Sequence, residues 1–393
     1  MTARQGRVPW ESSVLHLALA STLTAVLGVT LVSPLLPAIG REFAVTDGRA
    51  SLVITVYTLP GIVLAPVAGA LADRYGRRSV LVGSLLVTAG CGVAVVDTES
   101  LGAVLVLRAA QGVGASGILS VAVTLLGDAF EGPQRNAALG VNAAAISVGA
   151  AVYPLIGGIL GASAWRRPFW LYAAGVPVAV MTWWRLADPP STGDREGGLA
   201  YLRNAVASLP PDVAVLFGAS FAGYALLFGG LLTAVPFRLA GSFGLPAARI
   251  GAVLSVGAVS TAVVAVANGR LVQFATPQRL VVAGFACYGV GLVGTALAPT
   301  PPTAALAALV VGAGQGLTLP SIDGLVGSLA PARYRAGVFG VRTSVISLGA
   351  TVGPAVFAVG GGRAGYGTTL LAGGAIALGC AAVGVGLGRR WPR

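Results

Sequence analysis

Charged side chains are scarce in this sequence, and three ionisable residues stand where a charge is costly. Arg108 lies inside an apolar run at 101–127, Asp323 inside one at 303–327, and His16 near the start of one at 13–38. Runs of that length can cross a bilayer, so an ionisable group within one must face a polar cavity, a partner or the interface. Arg108 either faces such a cavity or partner, or snorkels to the nearer interface, since it sits about seven residues into its run. Asp323 either carries a proton or binds a cationic group, or lies at the interface paired with Arg335. His16 titrates in a range that permits a proton relay, with a simple interfacial position as the other reading. No acid occurs between Ser13 and Ile39.

A second set of residues clusters in a short loop, Gly69-Ala70-Leu71-Ala72-Asp73-Arg74-Tyr75-Gly76-Arg77-Arg78. Gly69 permits close helix approach and Gly76 a tight turn, while Asp73 among Arg74, Arg77 and Arg78 can form ion pairs at a helix terminus. An ordinary positively charged loop on the cytoplasmic side accounts for the same arginines. Tyr57, Gln111, Asn142, Tyr224 and Phe228 fall within apolar runs; aromatic surface with a few hydrogen-bonding groups suits an amphipathic organic molecule, and core packing is the alternative for each. Cys91, Cys287 and Cys380 show neither ligand nor disulfide spacing and read as packing residues. No phosphate loop, zinc spacing, nucleophile elbow or dinucleotide fingerprint appears, so the sequence predicts no cofactor, no metal and no enzyme. Any work the chain does must draw on an ion gradient.

The elements that position these residues are legible in composition. Of 393 residues, 55% are hydrophobic and 10% charged, with a mean hydropathy of +0.85. This is a chain built for the lipid bilayer. Apolar runs fall at 13–38, 50–70, 79–96, 101–127, 137–160 and 168–187, and again at 212–235, 248–268, 279–298, 303–327, 337–360 and 366–387. The expectation is an all-α membrane protein of twelve transmembrane helices in two six-helix bundles, 1–188 and 212–393. The linker at 189–211 carries Pro189, Pro190, Asp194, Arg195, Glu196, Gly197 and Gly198. The first run is too long for a signal-peptide core and no A-x-A site follows it, so it is expected to remain as a helix. All 25 positive side chains are arginine, and the net charge of +12 reads as membrane topology and not as nucleic-acid binding. With the N-terminus inside, seventeen of the 25 arginines fall on the cytoplasmic side, so both termini are expected there.

The two halves resemble each other. Gly69 and Leu71 recur as Gly269 and Leu271, and Gly140, Gly149 and Pro154 as Gly340, Gly349 and Pro354, all at a shift of 200 (269 minus 69); Gln111-Gly112 recurs as Gln315-Gly316 at 204. A duplicated six-helix unit is the arrangement in which two halves enclose a midplane site and rock about it.

With that layout in place, the loop resembles the signature loop between helices two and three of the major facilitator superfamily, matching at Gly69, Leu71, Asp73, Arg74, Gly76, Arg77 and Arg78. The second copy is eroded, with Gln273 in place of the acid. The resemblance implies a conformational latch in which Asp73 and Arg77, with Asp128 and Arg342 as partners, hold the halves in the outward-facing state. Arg108, Gln111, Gly112, Gly114 and Ala115 resemble the family's second motif, which implies that Arg108 takes part in proton transfer. Gly140, Gly149, Tyr153-Pro154 and Gly157-Gly158-Ile159 resemble the antiporter motif, with Tyr153 standing where the family has glycine. Trp165, Arg166 and Phe169 match the family's usual external loop. The resemblance implies a proton-coupled exporter of drug-like or hydrophobic small molecules, acting as a monomer in a bacterial plasma membrane, with Arg108 and Asp323 as proton-coupling candidates. A proton-linked metabolite transporter is the alternative within transport, and a membrane sensor or scaffold the alternative outside it. The absence of lysine beside abundant Ala, Gly, Val and Arg points to a GC-rich bacterial genome.

Overall fold

Long uninterrupted apolar sequence in this chain has one way to satisfy its backbone in lipid, which is to form helix. The computed structural model describes residues 8–186, 203–204, 206–210, 213–331 and 333–388, with the side chains at 65, 66, 68–70, 73, 336, 387 and 388 outside the described set. Most of the predicted linker at 189–211 therefore lies outside the described residues.

Among the described residues, ten segments are long and apolar enough to cross a membrane. These are α1 (Ser13–Glu42), α4 (Arg77–Asp97), α5 (Leu101–Ala129), α6 (Gly132–Gly161), α8 (Val213–Phe243), α9 (Ala247–Leu271), α10 (Pro277–Leu297), α11 (Pro301–Leu329), α12 (Arg335–Ala364) and α13 (Tyr366–Gly388). Two predicted runs take a different form. The run at 50–70 is divided into α2 (Asp47–Thr58) and α3 (Gly61–Tyr75), because Pro60 has no N–H to continue the hydrogen-bond ladder. The run at 168–187 starts as a tight 3₁₀ segment, Arg167–Ala174, and becomes α7 (Gly175–Arg185).

Helix ends extend beyond the apolar runs because capping chemistry, not hydropathy, decides them. Ser100 Oγ accepts from the Ala103 N–H at 3.2 Å at the start of α5, and Thr300 and Thr303 form a reciprocal capping box at α11. Helix α8 runs eight residues past its predicted end (243 minus 235) and stops at Gly244, whose φ of 62° closes the last turn. Gly76, at φ 86°, makes the sharp turn between α3 and α4 that the loop motif anticipates.

Within α8, Leu226–Ala234 widens into a π-helical stretch. The Ser33 hydroxyl of α1 donates to the Leu232 carbonyl in this stretch at 2.5 Å. Such widened turns offer carbonyls to partners outside the helix.

Buried apolar side chains fall mainly into two clusters. One runs from Leu15 to Leu186 and takes in Leu232 and Phe237 of α8; the other runs from Leu226 to Ala381, with a smaller group around Leu216, Ile322 and Val326 beside it. Val106, Trp184, Val266 and Ile376 are exposed on the outside of the helices, where lipid and not water would solvate them.

The two halves meet from one face down to mid-depth. The Tyr366 hydroxyl donates to the Asp47 carboxylate at 2.9 Å, which brings the starts of α2 and α13 together. Phe237 stacks on the same tyrosine with centroids 5.3 Å apart. We refer to this as the distal face, and to the opposite one, where α1 begins and α13 ends, as the terminal face. Near the distal face α6 and α9 touch backbone to backbone: a Cβ on Gly158 would collide with the Ala247 carbonyl, and one on Gly251 with the Pro154 carbonyl. At mid-depth the Thr58 and Thr351 hydroxyls of α2 and α12 lie 2.9 Å apart.

Candidate functional site

The first half buries Arg108 completely. A guanidinium in such a place needs acceptors, and four hydrogen bonds engage all three of its nitrogens. Its Nε donates to the Val53 carbonyl at 3.2 Å, Nη1 to Gln111 Oε1 at 2.9 Å and to the Tyr172 hydroxyl at 3.2 Å, and Nη2 to the Gly28 carbonyl. The Tyr57 ring lies 4.2 Å beneath it, with its own hydroxyl donating to the Ala25 carbonyl at 2.9 Å. Gln111 in turn donates to the Thr88 carbonyl at 3.1 Å. Of the alternatives open in the sequence, Arg108 therefore takes a set of partners in the interior, tying α1, α2, α5 and the Arg167–Ala174 segment together. Tyr57 and Gln111 belong to this network and not to a cavity wall.

Asn142, expected to line a cavity, is also buried, and accepts a hydrogen bond from Thr22 Oγ1 at 2.8 Å. The second half carries a related arrangement. Arg342 stands 200 positions after Asn142 (342 minus 142), and Ser220 stands 198 after Thr22 (220 minus 22). Arg342 Nε donates to Ser220 Oγ at 3.2 Å. A neutral pair joining α1 to α6 is thus replaced by a charged one joining α8 to α12.

Arg342 also forms an ion pair with Asp323 through Nη1. The expected grouping of Arg342 with Asp128 is not what the structure brings together, and neither is a pairing of Asp323 with Arg335, which is exposed on the terminal side. Helix geometry explains it. Asp323 is six residues from the end of α11 (329 minus 323) and Arg342 seven from the start of α12 (342 minus 335). At 1.5 Å per residue these are depths of about 9 and about 10.5 Å, so an antiparallel hairpin sets the two side chains level. Tyr224 of α8 stacks on Phe228 with centroids 5.9 Å apart, next to Arg342, and Gln315 accepts from the buried Tyr288 hydroxyl.

Arg77 pairs with Asp128 within the first half and also reaches the Thr124 carbonyl at 3.4 Å. The Arg78 guanidinium lies 3.9 Å over the Trp183 ring, and that of Arg74 5.4 Å over Tyr75. Gly69 and Asp73 lie in α3, outside the described side chains. On α6, Gly149 faces Leu23 and Val26 of α1, Gly157 lies against the Leu31 carbonyl and Gly158 against α9, while Gly140 meets nothing nearby. Tyr153 uses its hydroxyl to bind the Leu23 carbonyl at 3.1 Å. His16 is exposed and stacks on Trp10 at 6.4 Å. Arg166 binds Glu42 at 2.6 Å on the distal side. Sequence reasoning missed Thr22, Ser220, Ser33, Asp47, Tyr172 and Tyr366; of these, Thr22 and Ser220 carried a signal, their near-200 spacing.

Among the described residues no cluster suited to a metal ion occurs. A cavity of about 390 Å³ is an apolar groove between α8, α10 and α13 with Val215, Ile376 and Val383 at its exposed rim. It contacts the polar region around Arg342 only along one wall, through Ala219. The charged groups, not the larger volume, mark the site, because the groove offers mainly aliphatic surface.

A model of the Major Facilitator Superfamily matches residues 18–354 and, in a second match, 213–391. Tetracycline resistance protein, class B, of Escherichia coli is 25% identical over 364 residues, covering 88% of this chain and 88% of that one. The bacillibactin exporter of Bacillus subtilis is 35% identical over 162 residues, covering 39% of this chain and 40% of that protein. Among solved structures, a bacterial homolog of the human lysosomal transporter Spinster, inward-facing and unoccupied, superposes with a TM-score of 0.78 at 16% identity over 96% of each chain. That likeness is one of fold.

Proposed function

The chain belongs to the major facilitator superfamily, and from that premise we propose that it is a secondary active transporter that expels a drug-like or hydrophobic small molecule in exchange for protons. Its two halves, 1–188 and 212–393, alternate access around a site between them, with 189–211 as the connection. Reading α2 with α3 as one span bent at Pro60, and 167–185 as another, brings the count to twelve. Both termini then face the cytoplasm of a bacterial plasma membrane, following the arginine distribution, and the working unit is a monomer.

The observation that carries this reading is the closed distal face. Two halves of a duplicated chain meet there through a few separable contacts, Tyr366 with Asp47, Ser33 with Leu232, and the glycine-lined approach of α6 to α9. Polar and charged groups lie behind that closure. Rocking the halves would open this face and close the terminal one, where Asp73, Arg74, Arg77, Arg78 and Asp128, with the turn at Gly76 and the close approach at Gly69, act as the latch. Gly140, Gly149, Pro154, Gly157 and Gly158 shape the helix on which the closure is built. Asp323 is the residue we assign to proton binding, since its carboxylate is half exposed and held by a single arginine. Arg108, a permanent charge with each of its nitrogens hydrogen-bonded, acts on coupling through the helices it ties.

The test is movement of rhodamine 123 in inverted membrane vesicles with and without an imposed pH gradient, comparing the parent with Asp73→Asn and Arg108→Ala. Flux that follows the gradient and is lost in both variants supports proton-coupled export. Absence of flux of both rhodamine 123 and the acidic dye fluorescein in the parent removes the drug reading and leaves the metabolite transporter, which the charged pocket at Arg342 would favour. A folded protein that moves no member of a metabolite panel would leave the sensor or scaffold.

A further inference from the structure

Among the described residues, one donor of Arg342 has no partner. The residue is 4% exposed, yet its Nη2 finds no acceptor there, while Nε and Nη1 are taken by Ser220 and Asp323. Buried polar atoms are almost always paired, and a charged donor left alone is among the most expensive exceptions. The same side chain lines a small pocket between α8, α11 and α12, bounded also by Ser220, Tyr224, Gln315, Thr318 and Ile322. Its free volume is about 10 Å³, room for roughly one oxygen-sized group. Flat aromatic surface, Tyr224 on Phe228, stands beside it.

We propose that Arg342 is the specificity-determining residue of this transporter and that it binds an acidic oxygen, a carboxylate, phenolate or enolate, on an otherwise apolar substrate. Guanidinium is suited to this task, because its planar fork presents parallel N–H groups to an oxyanion. The oxygen satisfies Nη2 in the pocket, and the apolar body lies along Tyr224 and Phe228. Asp323 holds Arg342 in the unloaded protein. Its side chain is 42% exposed, so it can yield Nη1 to a substrate oxygen without being sealed away unpaired. The first half has no counterpart, since Thr22 and Asn142 occupy the related positions with a neutral hydrogen bond. The substrate class thereby rests on the transport reading and narrows it to amphipathic acids.

The experiment measures binding, so that it stands apart from flux. Full-length protein in nanodiscs is titrated with fluorescein, which carries phenolate and carboxylate oxygens, and with rhodamine 123, which shares the xanthene body but carries amino groups and an ester. Fluorescence anisotropy reads both affinities. Arg342→Asn, which copies the first-half arrangement, is expected to lower the ratio of fluorescein to rhodamine 123 affinity at least about tenfold, the scale of one charge-assisted hydrogen bond. Asp323→Asn keeps the arginine and removes its competitor, so fluorescein binding is expected to tighten severalfold. The proposal is overturned if the parent does not bind fluorescein, if Arg342→Asn leaves the ratio unchanged, or if Asp323→Asn weakens fluorescein binding. Should Arg342→Asn fail to fold, the Asp323→Asn titration decides alone. Loss of vesicle flux with intact fluorescein binding would count against the transport reading and not against this site.

Discussion

Arg108 and Arg342 are the most deeply buried of the described arginines in their respective halves, and the two are treated in opposite ways. Among the described residues Arg108 forms no ion pair with a carboxylate, and it finds acceptors for four hydrogen bonds in backbone carbonyls, an amide and a phenol. Arg342 has its carboxylate, Asp323, and still keeps a donor with no partner among the described residues, in a side chain that lines a small pocket. A buried charge whose bonds are complete behaves as a fastening between helices. One whose bonds are incomplete is kept ready for something that arrives. Gene duplication supplied two similar scaffolds, and the difference between a Thr–Asn pair and a Ser–Arg–Asp set separates their tasks.

This contrast can be broken most directly at Arg108. Replacing it with alanine strands Gln111, Tyr172 and two carbonyls, and is expected to cost about 3–5 kcal/mol, as for other buried charges stripped of their network. Denaturant unfolding in detergent checks it, and a loss of less than about 1 kcal/mol would mean the fastening role is wrong. Arg108→Lys keeps the charge but cannot reach α1, α2 and Tyr172 together, so an intermediate loss of about 2–3 kcal/mol is expected by the same measurement. Tyr172→Phe removes one acceptor while Gln111 still serves Nη1, and should cost about 1.5 kcal/mol. The smallest effect belongs to the other arginine. Arg342→Asn removes an unsatisfied donor and leaves a carboxylate whose side chain is already 42% exposed, so stability should change by no more than about 1 kcal/mol in either direction. A destabilisation as large as that of Arg108→Ala would erase the distinction between the two.

Much of this was legible beforehand, for a physical reason. Hydropathy reports which segments must leave water, so the apolar runs landed on the helices; it does not report where a cap or a proline interrupts them, hence the surprises at Pro60, at 167–174 and at Gly244. The sites divide similarly. Arg108 stood out as a costly charge, but its partners are carbonyls of Gly28 and Val53, and carbonyls have no signature in sequence. Asp323 was weighed against Arg335, the nearer arginine along the chain, whereas an antiparallel hairpin pairs residues of equal depth. Counting from the turn would have pointed to Arg342. The π-helical stretch at Leu226–Ala234 left no trace in composition.

The approach of α6 to α9 carries one last implication. Where Gly158 meets Ala247 and Gly251 meets Pro154, two main chains touch with little between them. A joint of that kind has no interlocking side chains to disengage and no residue identity to preserve beyond smallness. Lineages are then free to rewrite the lining of the binding chamber, and so change what is carried, without recalibrating the moving part.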